Sequence, residues 1–122
     1  MKSYLDLDIY QESLALFFET HPFSMLLPKY ELYELGSQLR RSSDSINSNI
    51  VEGYGRKRYK NDFIKFLIYA HSSNLECKNH IIKIKFLYPE LSEKAEILID
   101  SYDRLGIKIH RFIEYVEKSW KN

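Results

Sequence analysis

The chain has 122 residues, a formal net charge of +1, 44% apolar and 29% charged side chains, and only four glycines and three prolines. That length holds one domain, and that balance excludes disordered, fibrous and membrane-spanning chains. A single cysteine excludes a disulfide framework and a cysteine-rich zinc site.

With so few breakers the elements should be long. The first predicted helix covers residues 4–21, with Ile9, Tyr10, Leu14, Phe17 and Phe18 as its buried side and His21-Pro22 as its end. The second covers 28–53. Leu32, Leu35, Leu39, Ile46 and Ile50 form its apolar stripe, and Gly53-Tyr54-Gly55 reads as a C-cap and turn.

The second helix also carries a polar stripe. Glu31, Gln38, Ser45 and Glu52 recur at a heptad, with Arg41 and Asn49 beside them. Ser42, Ser43, Ser45, Asn47, Ser48 and Asn49 crowd its middle, although such residues are mediocre helix formers. A solvated face would hold more Lys and Glu. Small polar side chains let another helix approach and then bond to it. Gln38, Arg41, Ser45, Asn49 and Glu52 are therefore expected to form a polar seam, inside the bundle or between subunits.

The third helix is predicted over 59–87, with a seam of Phe63, Phe66, Ala70, Ser73, Cys77, Ile81 and Ile84, and Tyr88-Pro89 as its end. The fourth, over 90–119, gives the clearest signal. Leu91, Ala95, Leu98, Tyr102, Leu105, Ile109, Phe112 and Val116 follow at alternating steps of four and three. Gly106 inside it costs roughly 1 kcal/mol relative to Ala, a loss that a close helix approach can offset. No segment alternates at period two, so no strand is predicted.

Short connections place successive helices antiparallel. The expected fold is all-α, an antiparallel up-down-up-down four-helix bundle in a single domain, 1–122. Helices of more than about 25 residues are about 40 Å long. So slender a bundle has much surface for its volume, and self-association would bury more of it. The N-terminus has acids where a signal peptide needs an apolar stretch, and no apolar run reaches the length of a membrane span. The expectation is a cytoplasmic protein that does not enter membranes.

The near-zero net charge hides an asymmetry. Residues 1–34 balance to −4, residues 35–88 to +6 and residues 89–122 to −1. Within the middle section, residues 54–65 carry five basic side chains and one acidic, with Tyr54 and Tyr59 interleaved. Such a run can neutralise phosphates and stack on unpaired bases, although basic helix ends are also common on solvated surfaces. Arg104, Lys108, Arg111 and Lys118 share a face of the last helix by spacing.

Two other chemistries have weaker signals. Arg104 precedes His110 by six residues, similar to the Arg-x4-6-His motif of HEPN ribonucleases, where His110 would be acid or base and Arg104 would hold phosphate. On a regular helix those side chains point about 120° apart. Cys77 and Glu76 are spaced from His80 as half of a metal site, but no second half is visible, and Cys77 continues the apolar seam. No metal or cofactor is expected. No phosphate loop or nucleophile elbow is present.

The ordered blocks Pro28-Lys29-Tyr30-Glu31-Leu32-Tyr33-Glu34-Leu35, Gln38 to Ser43, Ser45-Ile46, Asn49 to Gly53 and Phe63 to Ala70, followed by Ser73 and Glu76, carry a resemblance. They resemble the bacterial four-helix-bundle family encoded in intervening sequences of large-subunit ribosomal RNA genes. The accessory variability determinant of diversity-generating retroelements is similar. Departures are mild: Tyr10 where a Trp is common, Ser42 where an Ala usually follows the paired arginines, and Ser72 where a Gly is common. The resemblance implies a four-helix bundle, a ring-shaped homo-oligomer that is commonly a pentamer, and no enzymatic activity. For the retroelement members it implies binding of RNA or DNA and of a reverse transcriptase through a basic surface. Arg40, Arg41, Arg56, Lys57, Arg58 and Lys60 are the expected partner-binding residues. A purely protein-binding scaffold is the other non-enzymatic reading.

Overall fold

The computed structural model describes residues 3–121, so only the outermost residues of the expected 1–122 domain lie outside it. The described residues form four α-helices: α1 (Asp8–Ser24), α2 (Leu35–Gly55), α3 (Lys60–Leu87) and α4 (Ser92–Ser119). Short 3₁₀ turns precede three of them, at Tyr4–Asp6, Lys29–Glu31 and Pro89–Leu91. No strand occurs among the described residues. The all-α expectation is met.

Each helix packs on its neighbours in sequence, and α1 also packs on α4, closing the bundle. Cross-helix bonds give the directions. Arg40 reaches Ser24, and Asn47 reaches Ser13, so α1 and α2 run oppositely. Lys78 pairs with Asp103, and Lys85 with Glu96, which sets α3 against α4. On α1 and α4, Thr20 meets Tyr102 while Asp8 meets Lys108.

The α4 seam is buried as its spacing predicted. Ala95, Leu98, Tyr102, Leu105, Ile109 and Val116 lie in the core, with Leu91 and Phe112 packed against it. Leu35, Leu39, Ile46 and Ile50 of α2 belong to the same core. Each such fully buried large side chain contributes about 1.5–3 kcal/mol over an exposed one.

Several expectations need correction. The buried side of α1 is Ile9, Ser13, Leu16, Thr20, Phe23 and Ser24, whereas Phe18 is 64% exposed. Apolar residues surround α1, so their spacing does not select a face. The helix also passes through Pro22 to Ser24. Pro22 removes one amide from the ladder, and only two residues of the helix follow it.

On α3 the buried line passes through Leu67 and Asn74, not Phe66 and Ser73, which are half-buried. On α2 the helix starts at Leu35, later than expected, and runs through Gly53 to Gly55. No glycine among the described residues has positive φ, so Gly53 is not a cap. It is a point of close approach: a Cβ there would stand 3.1 Å from Phe66 Cβ.

The mid-helix serines find their use in the core. Tyr102 of α4 is completely buried, and burial pushes its phenol well above the ordinary tyrosine pKa. Its hydroxyl lies 2.6 Å from Thr20 Oγ1 and 3.0 Å from Ser43 Oγ, and its carbonyl accepts from Asn74 Nδ2 at 2.9 Å. All four helices thus meet in one polar layer. Cys77 lies in the same core, with its thiol pushed up to about 11 by burial.

Candidate nucleic-acid interface

The basic run folds into the turn between α2 and α3. Arg56 caps α2, its amide bonded to the Gly53 carbonyl at 3.0 Å, and the Tyr59 amide closes the turn on the Arg56 carbonyl at 2.9 Å. Arg56, Lys57, Arg58 and Lys60 are thereby gathered at one end of the bundle.

Their surroundings differ. Arg56 lies 3.5 Å from Glu52 and 3.8 Å from Asp62, and its guanidinium covers the Phe66 ring at 4.8 Å. It is held and partly neutralised. The Lys57 ammonium sits 3.9 Å from the Tyr54 ring centroid, and Arg58 lies 6.0 Å from the Tyr59 ring. Aromatic faces hold these two cations without neutralising them.

A cleft of about 460 Å³ opens beside the turn, lined by Gly55, Lys57, Arg58, Trp120 and Lys121. Trp120 and Lys121 come from the segment that follows α4 and were not expected here. Only their meeting with the turn reveals them, since they lie some sixty residues away in sequence. Tyr54 is buried, its ring edge-on to Phe63, and cannot stack on a base. Tyr59, 63% exposed, can.

The arginine pair divides. Arg40 turns inward: its guanidinium donates to the Leu32 carbonyl at 2.7 Å and to Ser24 Oγ at 2.9 Å. It clasps the α1–α2 connection and does not join the basic turn. Arg41 is exposed on α2. Fifteen helical residues separate it from Arg56, about 22 Å at 1.5 Å each.

The expected polar seam divides too. Ser45 Oγ lies 2.9 Å from Ser73 Oγ on α3, and Asn49 Nδ2 donates to Ser45 Oγ at 3.0 Å, so these two join helices within the bundle. Gln38, Arg41 and Glu52 lie on the exposed surface of α2. Asn49 and Glu52 border a shallow cleft of about 440 Å³ with Phe66.

Arg104 and His110 do not share a site. Arg104 donates to Ser101 Oγ at 3.2 Å on its own helix, whereas His110 faces Glu114 and the His71 ring of α3, 6.2 Å away. His71 is shifted below the ordinary histidine pKa, by burial first and by His110 second. Among the described residues no three His, Cys, Asp or Glu side chains converge to hold a metal. No helix there is long and apolar enough to cross a membrane.

No curated protein matches the chain in sequence. The family model for the 23S rRNA-intervening sequence protein matches residues 5–111. The match covers the first three helices, the basic turn and α4 as far as Arg111, and does not include Trp120 and Lys121. The chain therefore belongs to the 23S rRNA-intervening sequence protein family.

Proposed function

We propose that the protein is a non-enzymatic, self-associating four-helix bundle that binds nucleic acid through the α2–α3 end. One observation carries this reading: Lys57, Arg58 and Lys121 converge on a cleft whose described lining holds no carboxylate. Cations so placed can exchange counterions for phosphates. Lys60 and exposed Tyr59 extend the surface, and exposed Arg41 adds charge farther along α2.

Self-association is supported by apolar surface that the single chain leaves uncovered. Ile68 and Leu75 on α3 and Ile107 on α4 are 47%, 56% and 52% exposed. A homo-oligomer, a pentamer by the resemblance noted above, would repeat the basic turn around a ring and raise avidity. Sedimentation of the purified chain measures the subunit number, and a monomer at all concentrations would contradict this part.

Binding is tested by titrating labelled RNA and DNA at several salt concentrations. Affinity should fall linearly with salt on logarithmic axes. Replacing Arg56, Lys57 and Arg58 together by Ala should weaken it, most of the loss coming from the last two. No binding at low salt, or an unchanged affinity in the variant, would refute the reading. Association with a reverse transcriptase that survives nuclease and moderate salt would favour the protein-scaffold role instead.

A further inference from the structure

The segment after α4 adds to the basic turn something that neither has alone. Helix α4 stops at Ser119, and Trp120 leaves it in an extended conformation with its amide still bonded to the Val116 carbonyl at 3.3 Å. The indole is held edge-on, 5.1 Å from the Phe63 ring and 6.3 Å from Tyr115. It is only half-buried, and what remains uncovered forms a wall of the cleft. Lys57, Arg58 and Lys121 line the same cleft. Tyr59 stands exposed beside Arg58.

An aromatic wall among cations that form no ion pair among the described residues has a specific ligand chemistry. The cations take phosphate oxygens, and the ring takes the face or edge of a base that is not already stacked in a duplex. Tyr54 cannot supply that surface, because it is buried under Lys57. We infer that this cleft is a nucleotide site for single-stranded nucleic acid. An unpaired base packs on Trp120, and its flanking phosphates lie on Lys57, Arg58 and Lys121. The inference rests on the nucleic-acid reading above and narrows it from phosphate backbone in general to unpaired strands. Both Trp120 and Lys121 lie outside the residues that the family model matches, so the site is built partly from this chain's own C-terminal segment.

Trp120 is the single tryptophan of the chain, so its fluorescence reports on this cleft alone. The full chain is titrated with a dye-labelled single-stranded oligoribonucleotide, its deoxy counterpart and a hairpin duplex of the same composition. Dye anisotropy and tryptophan emission are followed together. Both single strands should quench Trp120 saturably, in step with anisotropy, and the duplex should bind without that quenching.

Trp120→Leu, which keeps an apolar contact to Phe63, should weaken single-strand binding about tenfold and leave duplex binding within about twofold. Lys121→Glu, beyond the end of α4 and without a role in the core, should lower the salt slope by about one. Binding by anisotropy with unchanged Trp120 emission would overturn this inference and leave the proposed function standing. Equal quenching by duplex and single strand would overturn it as well, making the cleft a plain phosphate site. No anisotropy change with any probe would overturn both.

Discussion

Asn74 of α3 donates its side-chain amide to the Tyr102 carbonyl of α4 at 2.9 Å, in the space that Gly106 leaves open. A Cβ at position 106 would stand 2.9 Å from that amide nitrogen. Helix propensity alone favours Gly106→Ala by about 1 kcal/mol. Displacing the buried amide from its acceptor costs about 1–3 kcal/mol. The expected result is net destabilisation of about 1 kcal/mol in a urea melt. In an Asn74→Ala background the same substitution should instead stabilise. A double-mutant cycle measures this change of sign.

Tyr102 holds three helices through its hydroxyl and carbonyl. Tyr102→Phe keeps the ring and strands the Thr20 and Ser43 hydroxyls in the core. A loss of about 1–3 kcal/mol is expected. Adding Thr20→Val and Ser43→Ala removes the stranded groups and should recover part of it. A triple variant less stable than Tyr102→Phe alone would contradict this account.

Arg40 and Arg41 are adjacent and should behave oppositely. Arg40→Ala removes charge-assisted bonds to Leu32 and Ser24 and should cost about 1.5–3 kcal/mol. Arg40→Lys should recover little, because an ammonium does not reproduce the guanidinium fork. Arg41→Ala, at an exposed site, should stay within about 0.5 kcal/mol of the parent. Chemical denaturation separates the two.

Acid should destabilise the bundle through His80. The residue is buried, with Glu76 at 3.7 Å from Nε2 and no hydrogen-bond partner for Nδ1 among the described residues. Burial, then Lys83, holds its pKa below the ordinary value of 6.5. In the unfolded chain His80 takes up a proton near pH 6.5, while in the folded chain it does so at lower pH. Its stabilising contribution is therefore present above about pH 6.5 and is lost as pH falls through the folded value. Burial shifts His71 the same way. Melting temperature should fall from pH 7 to pH 5, and His80→Gln should flatten that slope. An equal slope in the variant would refute the assignment.

Periodicity reads well where one face alone is apolar. On α4 the seam is unbroken and every seam residue is buried or packed on the core, although Ile97 and Ile107 stand exposed outside it. On α3 a second apolar line, Ile64, Ile68, Leu75 and Ile82, competes with the core line, so positions 66 and 73 read as inward when 67 and 74 are. On α1 the core accepts Ser13, Thr20 and Ser24, whose polarity hides their burial. A partner on another helix, such as Tyr102 for Thr20, is what makes a polar side chain suitable for the core.

The amino-acid order alone determined the number of helices, their all-α packing and the basic run between the second and third. Those follow from local spacing and local charge. Only the tertiary structure decided which cations act together. Arg40 is consumed by a clasp across the α1–α2 connection, and Arg56 is bound by Glu52 and Asp62. Trp120 and Lys121 join Lys57 and Arg58 only because antiparallel packing returns the end of α4 to the turn after α2. Contacts between segments so far apart in the chain depend on where the helices end. No local pattern records that position.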